Sequence, residues 1–225
     1  PAEEKKNYVL AKQIVKAKVY GAQTYLISSF FQPSIKKPNT YFVPPILRKE
    51  IVEASVTRKN HVLVYQTSTS QKDLVSVLQL LPKENFIVYG LNKDESHLNV
   101  RLKPFSEKVF IDDLASCKAV LTNGGFSLIS EAVYLKKPIC SVPISNQFEQ
   151  FVNASYVEKL NYGRHFNAFK ADDIKAFLYD LPSFEMSIST YHQDGNTQLF
   201  SMLEAAMKKM YDYPQRYPFV FPLLP

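Results

Sequence analysis

The sequence predicts an α/β fold whose core is a doubly wound parallel sheet, and three observations support that prediction. From His61 onward, short apolar runs alternate with segments of helical periodicity. The first of these runs, 61–65, is apolar at almost every position, as in strands that are covered on both faces. The connections between runs and helical segments are short, which is typical of repeated strand–helix units that wind a parallel sheet.

The individual elements are predicted from apolar spacing and from the residues that end each segment. Helices are assigned where apolar residues recur every three or four positions, and Pro82 ends the first of them. Gly163 is expected to cap the helix that precedes it. After residue 60, the sequence predicts strands at 61–65, 86–89, 99–102, 119–121 and 139–142, and helices at 74–81, 110–115, 126–135, 148–160, 172–178 and 196–211.

The segment before residue 60 is organised differently. Its first 31 residues predict one helix and one strand, a pair too small to bury itself, so residues 1–40 are expected to be the tail of a preceding domain. Prolines between Pro33 and Pro45 disfavour regular structure, and residues 41–60 are therefore predicted to be a linker. The ligand-binding domain is expected at 61–211. The apolar, proline-rich tail at 212–225 is expected to cover the N-terminal part, or else a membrane surface or a partner.

Composition restricts the classes of protein to which the chain can belong. Apolar residues make up 46% of the 225, which is enough for a buried core. The net charge of +6 favours anionic ligands or an anionic membrane surface, but the basic residues are scattered, which argues against nucleic acid as a partner. No apolar stretch approaches the ~18 residues that cross a bilayer. Cys117 and Cys140 are expected to be reduced core thiols, and the four histidines lack metal-ligand spacing.

The most informative segment joins a predicted strand to a predicted helix through two glycines. The strand ends at Thr122, Asn123 follows, and Gly124 and Gly125 lead directly into a helix that begins at Phe126. Backbone N–H groups at such a turn can receive a phosphate.

Two polar side chains on this helix add a second chemistry. Ser127 and Glu131 are four residues apart and therefore share one face of the helix. A hydroxyl and a carboxylate would then project near the same anion site. Phosphate together with a polyol is the chemistry of a nucleotide sugar, which the segment is therefore expected to bind.

A second loop at the same edge of the sheet is also polar. Gln66, Thr67 and Ser68 follow the first strand of the sheet and lead towards a helix. Hydroxyl and N–H groups at a helix start suit a diphosphate. A simple Ser/Thr helix cap is the alternative interpretation of this loop.

The order of these residues resembles the donor-binding signature of GT-B glycosyltransferases, most closely the family 28 C-terminal domain found in the peptidoglycan N-acetylglucosaminyl transferase and, more distantly, UDP-glycosyltransferases. Those enzymes carry a Gly-rich turn, a Ser, a Glu on the next helix, a Gly-x-Pro, a further Pro and an Asp-Gln or Gln-Gln pair. The residues in the same order here are Gly124, Gly125, Ser127, Glu131, Lys137, Pro138, Pro143, Glu149 and Gln150. Asn123 stands where many members have His, and Lys137 replaces the Gly before Pro.

The resemblance implies roles for these residues in a Rossmann-like, nucleotide-sugar-binding half of a GT-B enzyme. Glu131 would accept hydrogen bonds from the ribose hydroxyls, and Glu149 and Gln150 would reach the sugar. Phe105, in the loop after the third strand, would pack on the nucleobase. The expected nucleotide-sugar-binding residues are Gln66, Thr67, Ser68, Phe105, Asn123, Gly124, Gly125, Phe126, Ser127, Glu131, Glu149 and Gln150.

The implied reaction is transfer of a sugar, with inversion, from a UDP-sugar to a hydroxyl acceptor, with neither a metal nor a cofactor. A cell-surface polysaccharide or teichoic-acid-like polymer, lipid-linked or free, is the expected acceptor. A cytoplasmic location is expected, with or without peripheral contact at the inner face of the membrane. The catalytic base is expected in an N-terminal half outside this chain, so the chain alone should be inactive. A UDP-sugar 2-epimerase of the same fold and a non-catalytic binding or assembly module are the two alternatives.

Overall fold

The computed structural model describes residues 2–66 and 71–212. Contacts divide the described chain into two units. The larger unit comprises Leu47–His192 together with the segment up to Tyr20, and the smaller comprises Gly21–Ile46 together with the segment from Gln193 onward. These divisions differ from the predicted boundaries at residues 40, 60 and 211. The assignment of residues 1–40 to a preceding domain therefore stays a prediction.

The strands of the larger unit form a seven-stranded sheet in the order β5-β6-β4-β3-β7-β8-β9, and those of the smaller unit form a two-stranded parallel sheet. Only β5 runs antiparallel to its neighbour in the larger sheet. In chain order the described strands are β1 (Tyr25–Ser28), β2 (Thr40–Val43), β3 (His61–Tyr65), β4 (Asn85–Tyr89), β5 (Glu95–His97), β6 (Val100–Leu102), β7 (Ala119–Thr122), β8 (Ile139–Ser141) and β9 (Gly163–His165).

Helices cover both faces of the seven-stranded sheet, which confirms the predicted doubly wound α/β class. The described helices are α1 (Ala2–Lys18), α2 (Lys49–Val52), α3 (Leu74–Gln79), α4 (Glu107–Ser116), α5 (Phe126–Tyr134), α6 (Phe148–Lys159), α7 (Ala171–Tyr179), α8 (Leu181–Ser189) and α9 (Thr197–Asp212). No helix within the described ranges is both long and apolar enough to span a membrane.

The core on one face is formed by α3, α7 and α8 against alternate residues of the strands. Val62, Val64 and Leu121 point into this cluster, where Phe177 and Phe184 stack with ring centroids 5.5 Å apart. Leu63 and Val120 are also fully buried but lie outside the cluster, because side chains alternate across a strand. The buried residues of α4, α5 and α6 lie outside it as well, so these helices cover the opposite face.

The segment 41–60, predicted to be a linker, contains regular structure that its prolines were expected to disfavour, and its assignment as a linker stays a prediction. β2 pairs in parallel with β1, and α2 follows at residue 49. Pro38 and Pro44 flank β2 rather than interrupt it, and the residues of the strand, Thr40–Val43, favour an extended conformation. The helix predicted at the start of the chain is present as α1, where the Tyr8 ring lies 5.6 Å from that of Phe148 on α6.

The predicted helix cap at Gly163 is wrong. α6 is followed by Asn161, which has a left-handed φ of 55°. Gly163 instead opens β9, where a Cβ would lie 1.7 Å from the carbonyl oxygen of Ile139 on β8. Glycine is required there for close approach of two strands. The tail from residue 213 onward lies outside the described residues, so its predicted covering role is a prediction only.

Candidate functional site

The candidate site lies at the carboxyl ends of the parallel strands, where the sheet changes winding direction. β3 is paired with β4 on one side and with β7 on the other, and the chain proceeds outward in opposite directions from it. Ligands of open α/β sheets bind in the crevice at such a switch point. The loops after β3, β6, β7 and β8 therefore contain the residues of interest.

Gly124 has a backbone conformation and surroundings that only glycine suits. Its φ is +98°, and a Cβ would lie 3.0 Å from the carbonyl oxygen of Gln150 and 3.1 Å from Oγ of Ser141. The Gly124 carbonyl accepts a hydrogen bond of 3.1 Å from Nδ2 of Asn153 on α6. Gly124 thus packs against the end of β8 and against α6.

Gly125 is different, because it opens onto empty space. It is the N-cap of α5 with φ −61° and ψ 134°, and no residue beyond its two chain neighbours lies within 4 Å of where its Cβ would be. No side-chain cap closes the helix at this residue. The positive end of the α5 helix dipole therefore lies at this open position.

The other residues of the turn divide between structure and surface. Asn123 is buried at 5% exposure and donates from Nδ2 to the carbonyl of Val142, 3.3 Å away, which joins the ends of β7 and β8. Phe126 is half-buried, and Ser127 is exposed in the first turn of α5. Asn123 thus shapes the turn, while Ser127 faces the surface that a ligand would use.

Glu131 is buried, at 6% exposure, and is paired with an arginine that the sequence did not single out. Nε of Arg48 lies 2.7 Å from Oε1 of Glu131, and Nη2 lies 2.8 Å from Oε2. Nη1 of the same guanidinium lies 2.8 Å from Oε1 of Glu107, the first residue of α4. The Glu131 hydrogen bonds and charge raise the pKa of Arg48 further above its usual range.

The arginine bridge locates the Glu131 carboxylate at the carboxyl edge of the sheet. α4 begins immediately after the loop that follows β6, so Glu107 marks that edge. Because Arg48 contacts both carboxylates, Glu131 faces the α4 side of the crevice. Nothing in the sequence around Arg48 indicated this, because the residue lies in the predicted linker and its partners are 59 and 83 positions away.

Phe105 is on the surface rather than in the core, since 53% of it is exposed. Its ring centroid lies 5.6 Å from that of Phe110, which is buried. Phe110 in turn contacts Tyr65 and Tyr89 edge to face, at 5.5 and 5.1 Å. The exposed ring is therefore supported from below by an aromatic cluster at the ends of β3 and β4.

The loop after β3 is described only in part. Gln66 is 1% exposed, and its N–H donates to the carbonyl of Tyr89 at 3.2 Å. The φ of Gly90 is +94°, and a Cβ there would lie 2.0 Å from the carbonyl oxygen of Gln66. Gln66 therefore lies against the end of β4. Thr67 and Ser68 lie outside the described residues.

The two residues at the start of α6 are placed differently. Glu149 is exposed in the first turn of the helix. Gln150 accepts a hydrogen bond of 3.0 Å from the N–H of Ile144 and donates to Gln147 at 2.5 Å. Gln150 therefore holds the loop between β8 and α6, whereas Glu149 projects from it.

Lys137, which stands where a glycine was expected, is buried at 4% exposure. Its ammonium donates to the carbonyl of Thr57 at 2.7 Å, and burial lowers its pKa. The left-handed residue before β8 is its neighbour Lys136, with φ 60°. The position that favours glycine is therefore Lys136, where the Gly of a Gly-x-Pro ending at Pro138 falls, and not Lys137.

Three other reactive side chains of the described chain, those of His61, Cys117 and Cys140, are buried within the fold. His61 is buried, and its Nε2 lies 3.0 Å from the carbonyl oxygen of Asp113. Cys117 and Cys140 are buried free thiols, and burial raises the pKa of Cys117 to about 12. No group of three or more His, Cys, Asp or Glu side chains suited to a metal ion occurs in residues 2–66 and 71–212.

The fold matches those of solved glycosyltransferases. The glycosyltransferase of kitacinnamycin is 20% identical, with a TM-score of 0.63 over 83% of this chain and 54% of that one. The calicheamicin glycosyltransferase CalG4 is 16% identical, with a TM-score of 0.56 over 81% and 49%. Os79 from O. sativa, solved in complex with UDP, is 13% identical, with a TM-score of 0.55 over 75% and 49%. At these identities the likeness shows the GT-B fold, and the chain spans about half the length of each.

Two sequence comparisons bear on the family, and the second of them shows it. An uncharacterized glycosyltransferase from Methanosarcina acetivorans is 31% identical over 147 residues, which cover 60% of this chain and 38% of that protein. The narrower likeness to the family 28 type stays a prediction. A family model described as glycosyl transferase family 1 matches residues 1–182, most of the chain. The chain therefore belongs to glycosyl transferase family 1.

Proposed function

We propose that the chain is the donor-binding part of an inverting glycosyltransferase that uses a UDP-sugar. One observation carries the proposal: α5 begins without a side-chain cap at Gly125, which opens onto empty space, while the same helix carries the buried acid Glu131. The chain's family and the UDP complex of a structural neighbour support the same ligand class. Because the chain spans only part of its relatives, the activity is proposed for the whole protein.

The diphosphate is proposed to lie against the first turn of α5. Backbone N–H groups there carry partial positive charge, and an anion at a helix N-terminus is stabilised by it. Gly125 lets the phosphates approach closely, since no side chain of its own stands in the way. Ser127 is exposed in the same turn and can donate its hydroxyl.

The ribose and the nucleobase are proposed to lie on the α4 side of this turn. Glu131 accepts hydrogen bonds from the ribose hydroxyls, because a carboxylate has about four acceptor positions and Arg48 uses only two of them. The base packs on the exposed ring of Phe105, which leans on Phe110. Gln66, at the end of β3, and its sequence neighbours Thr67 and Ser68 remain proposed nucleotide-sugar-binding residues.

The transferred sugar is proposed to lie over the start of α6. Glu149 is exposed there and can accept hydrogen bonds from sugar hydroxyls. Gln150 contributes less directly, because its amide already holds the loop between β8 and α6. The sugar specificity is therefore expected to depend on Glu149 more than on its neighbour.

In the proposed reaction, an acceptor oxygen bonds to the anomeric carbon as the bond from that carbon to the diphosphate breaks. The charge that develops is on the departing diphosphate, where the helix amides stabilise it. A base takes the proton of the acceptor hydroxyl, and we propose that this base is supplied from outside the chain. A cell-surface polymer as acceptor and a cytoplasmic site of action remain part of the proposal.

Calorimetric titration of the chain with UDP, UDP-glucose and UDP-N-acetylglucosamine tests the proposal. We expect saturable binding of the uridine nucleotides at millimolar or lower concentration, and weaker binding of GDP and ADP. Absence of binding by every uridine nucleotide at millimolar concentration would contradict it. In the full-length protein, conversion of a UDP-sugar in the absence of acceptor would instead indicate a 2-epimerase.

A further inference from the structure

The side chain of Arg48 joins two elements that the proposed function assigns to different parts of the ligand. Its Nε and Nη2 contact both carboxylate oxygens of Glu131 on α5, and its Nη1 contacts Glu107 at the start of α4. Glu107 is two residues after Phe105, the proposed base platform. The guanidinium of Arg48 thus connects Glu131, which is proposed to bind the ribose, to the loop of Phe105, which is proposed to bind the base.

The backbone that carries Arg48 is fixed on both sides. Leu47 is 3% exposed and Ile51 is fully buried, and the Arg48 carbonyl accepts hydrogen bonds from the N–H groups of Ile51 and Val52 at 3.1 and 3.2 Å. α2 also contacts α4. The guanidinium therefore extends from a packed segment of backbone.

The pairing also leaves the Glu131 carboxylate with acceptor positions for hydrogen bonds from a ligand. Arg48 takes one acceptor position on each oxygen of Glu131, in the two-pronged geometry that fixes the plane of a carboxylate. Each oxygen keeps a second acceptor position for a hydroxyl. A buried acid without a partner would be costly, and one with a flexible lysine would not be held in a single plane.

We infer that Arg48 is a positioning residue that orients Glu131 towards the ribose hydroxyls of the nucleotide. This inference rests on the proposed function. Arg48 contacts the acid and the start of α4 rather than the nucleotide, so its effect is expected on discrimination at the ribose. A residue that only stabilised the fold would weaken all nucleotides equally.

The test compares UDP with 2′-deoxy-UDP by calorimetry in the wild type and in four variants. A hydrogen bond to a charged group contributes about 1.5–3 kcal/mol, so the wild type should prefer UDP by about tenfold or more. Glu131→Gln should reduce that preference to less than about threefold. Arg48→Met should reduce this preference to the same extent, mainly by weakening the binding of UDP, while the affinity for 2′-deoxy-UDP changes little.

Two further variants keep the test decisive. Arg58→Met removes an arginine whose partner, Glu185, is remote from the site, and it should retain the wild-type preference. Arg48→Lys keeps the charge but cannot contact both oxygens of Glu131, so it should lose part of the preference even if Arg48→Met fails to fold. Thermal unfolding of each variant verifies that the protein measured is folded.

The outcomes separate the two claims. If a folded Arg48 variant binds UDP and retains the full wild-type preference, Arg48 does not position the acid. If it binds UDP more tightly than the wild type, Arg48 hinders the binding of the nucleotide at Glu131, and the inference is overturned. If the wild type does not bind UDP, or if Glu131→Gln retains the preference, the proposed function itself fails.

Discussion

Gly124 packs so closely against the backbone of Gln150 that a Cβ on it would make an unusually tight contact. A Cβ on Gly124 would lie 3.0 Å from the carbonyl oxygen of Gln150, and the φ of +98° is one that side chains other than glycine rarely adopt. Gly125, one residue later, has φ −61° and open space around it. The two glycines are therefore adjacent but have separable roles.

Substituting each glycine by alanine should separate folding from binding. Gly124→Ala should lower the free energy of unfolding by about 1–3 kcal/mol, because of left-handed strain and the close backbone contact. Gly125→Ala should change it by less than about 0.5 kcal/mol but weaken UDP, because the new methyl group stands where the diphosphate is proposed. Urea denaturation and calorimetry measure the two effects. Full UDP affinity in Gly125→Ala would contradict the proposed phosphate position.

Phe105 and Phe110 make a matched pair of aromatic residues. Phe105→Ala should leave the stability almost unchanged, since half of the side chain is exposed, but should weaken UDP by about tenfold through the loss of base stacking. Phe110→Ala should instead cost about 3–5 kcal/mol of stability, because it removes a buried ring contacted by Phe105, Tyr65 and Tyr89. Equal UDP affinity in the wild type and in Phe105→Ala would show that Phe105 does not contribute to UDP binding.

Gln71 connects the loop after β3 to the loop after β9. Its Nε2 donates to the carbonyl of Phe169 at 2.7 Å, and its Oε1 accepts from the Phe169 N–H at 2.9 Å. Gln71→Leu should lower the free energy of unfolding by about 1–3 kcal/mol, because it leaves polar groups of a residue that is 2% exposed unpaired. Gln71→Glu keeps the acceptor for the Phe169 N–H but places a carboxylate oxygen against the Phe169 carbonyl oxygen, so it should be destabilised as well. An unchanged urea midpoint in Gln71→Leu would show that this link contributes nothing.

His61 should make stability depend on pH below neutrality. Burial lowers the pKa of His61 below its usual 6.5, so the unfolded chain binds its proton at a higher pH than the folded chain does. Stability should therefore rise with pH up to about 6.5, and fall as the pH drops below it. His61→Gln retains a donor for the Asp113 carbonyl but does not titrate. Urea denaturation from pH 5 to 8 should show wild type losing more stability than His61→Gln on the acid side; parallel curves would refute the assignment.

The strands of the sheet were predictable because burial on both faces leaves a direct signature in sequence. β3 was predicted to the residue, and α5 and β8 to within one residue at each end. β5 and β9 were missed, because Glu95–His97 and Gly163–His165 are polar strands without an apolar run. α2 was missed because it is only one turn long and lies just after two prolines.

The site was predictable where its chemistry is local in sequence. The diglycine turn and Glu131 lie within eight residues, and their helical spacing was sufficient to place them on one element. Arg48 was not predictable, because its pairing with Glu131 spans 83 residues and depends on how α2 docks against α4. The role of Gln150 was likewise not predictable, because its side-chain oxygen accepts a hydrogen bond from the Ile144 N–H in the loop after β8.

Everything proposed for the site depends on uridine nucleotide binding at the start of α5. The most direct measurement is a UDP titration of the ¹⁵N-labelled chain followed by amide NMR. Saturable shifts are expected, largest at the amides of Gly125, Phe126 and Ser127 and smaller at Phe105. If UDP binds but these amides do not shift, or if shifts are confined to residues away from the carboxyl edge of the sheet, UDP does not bind at the start of α5.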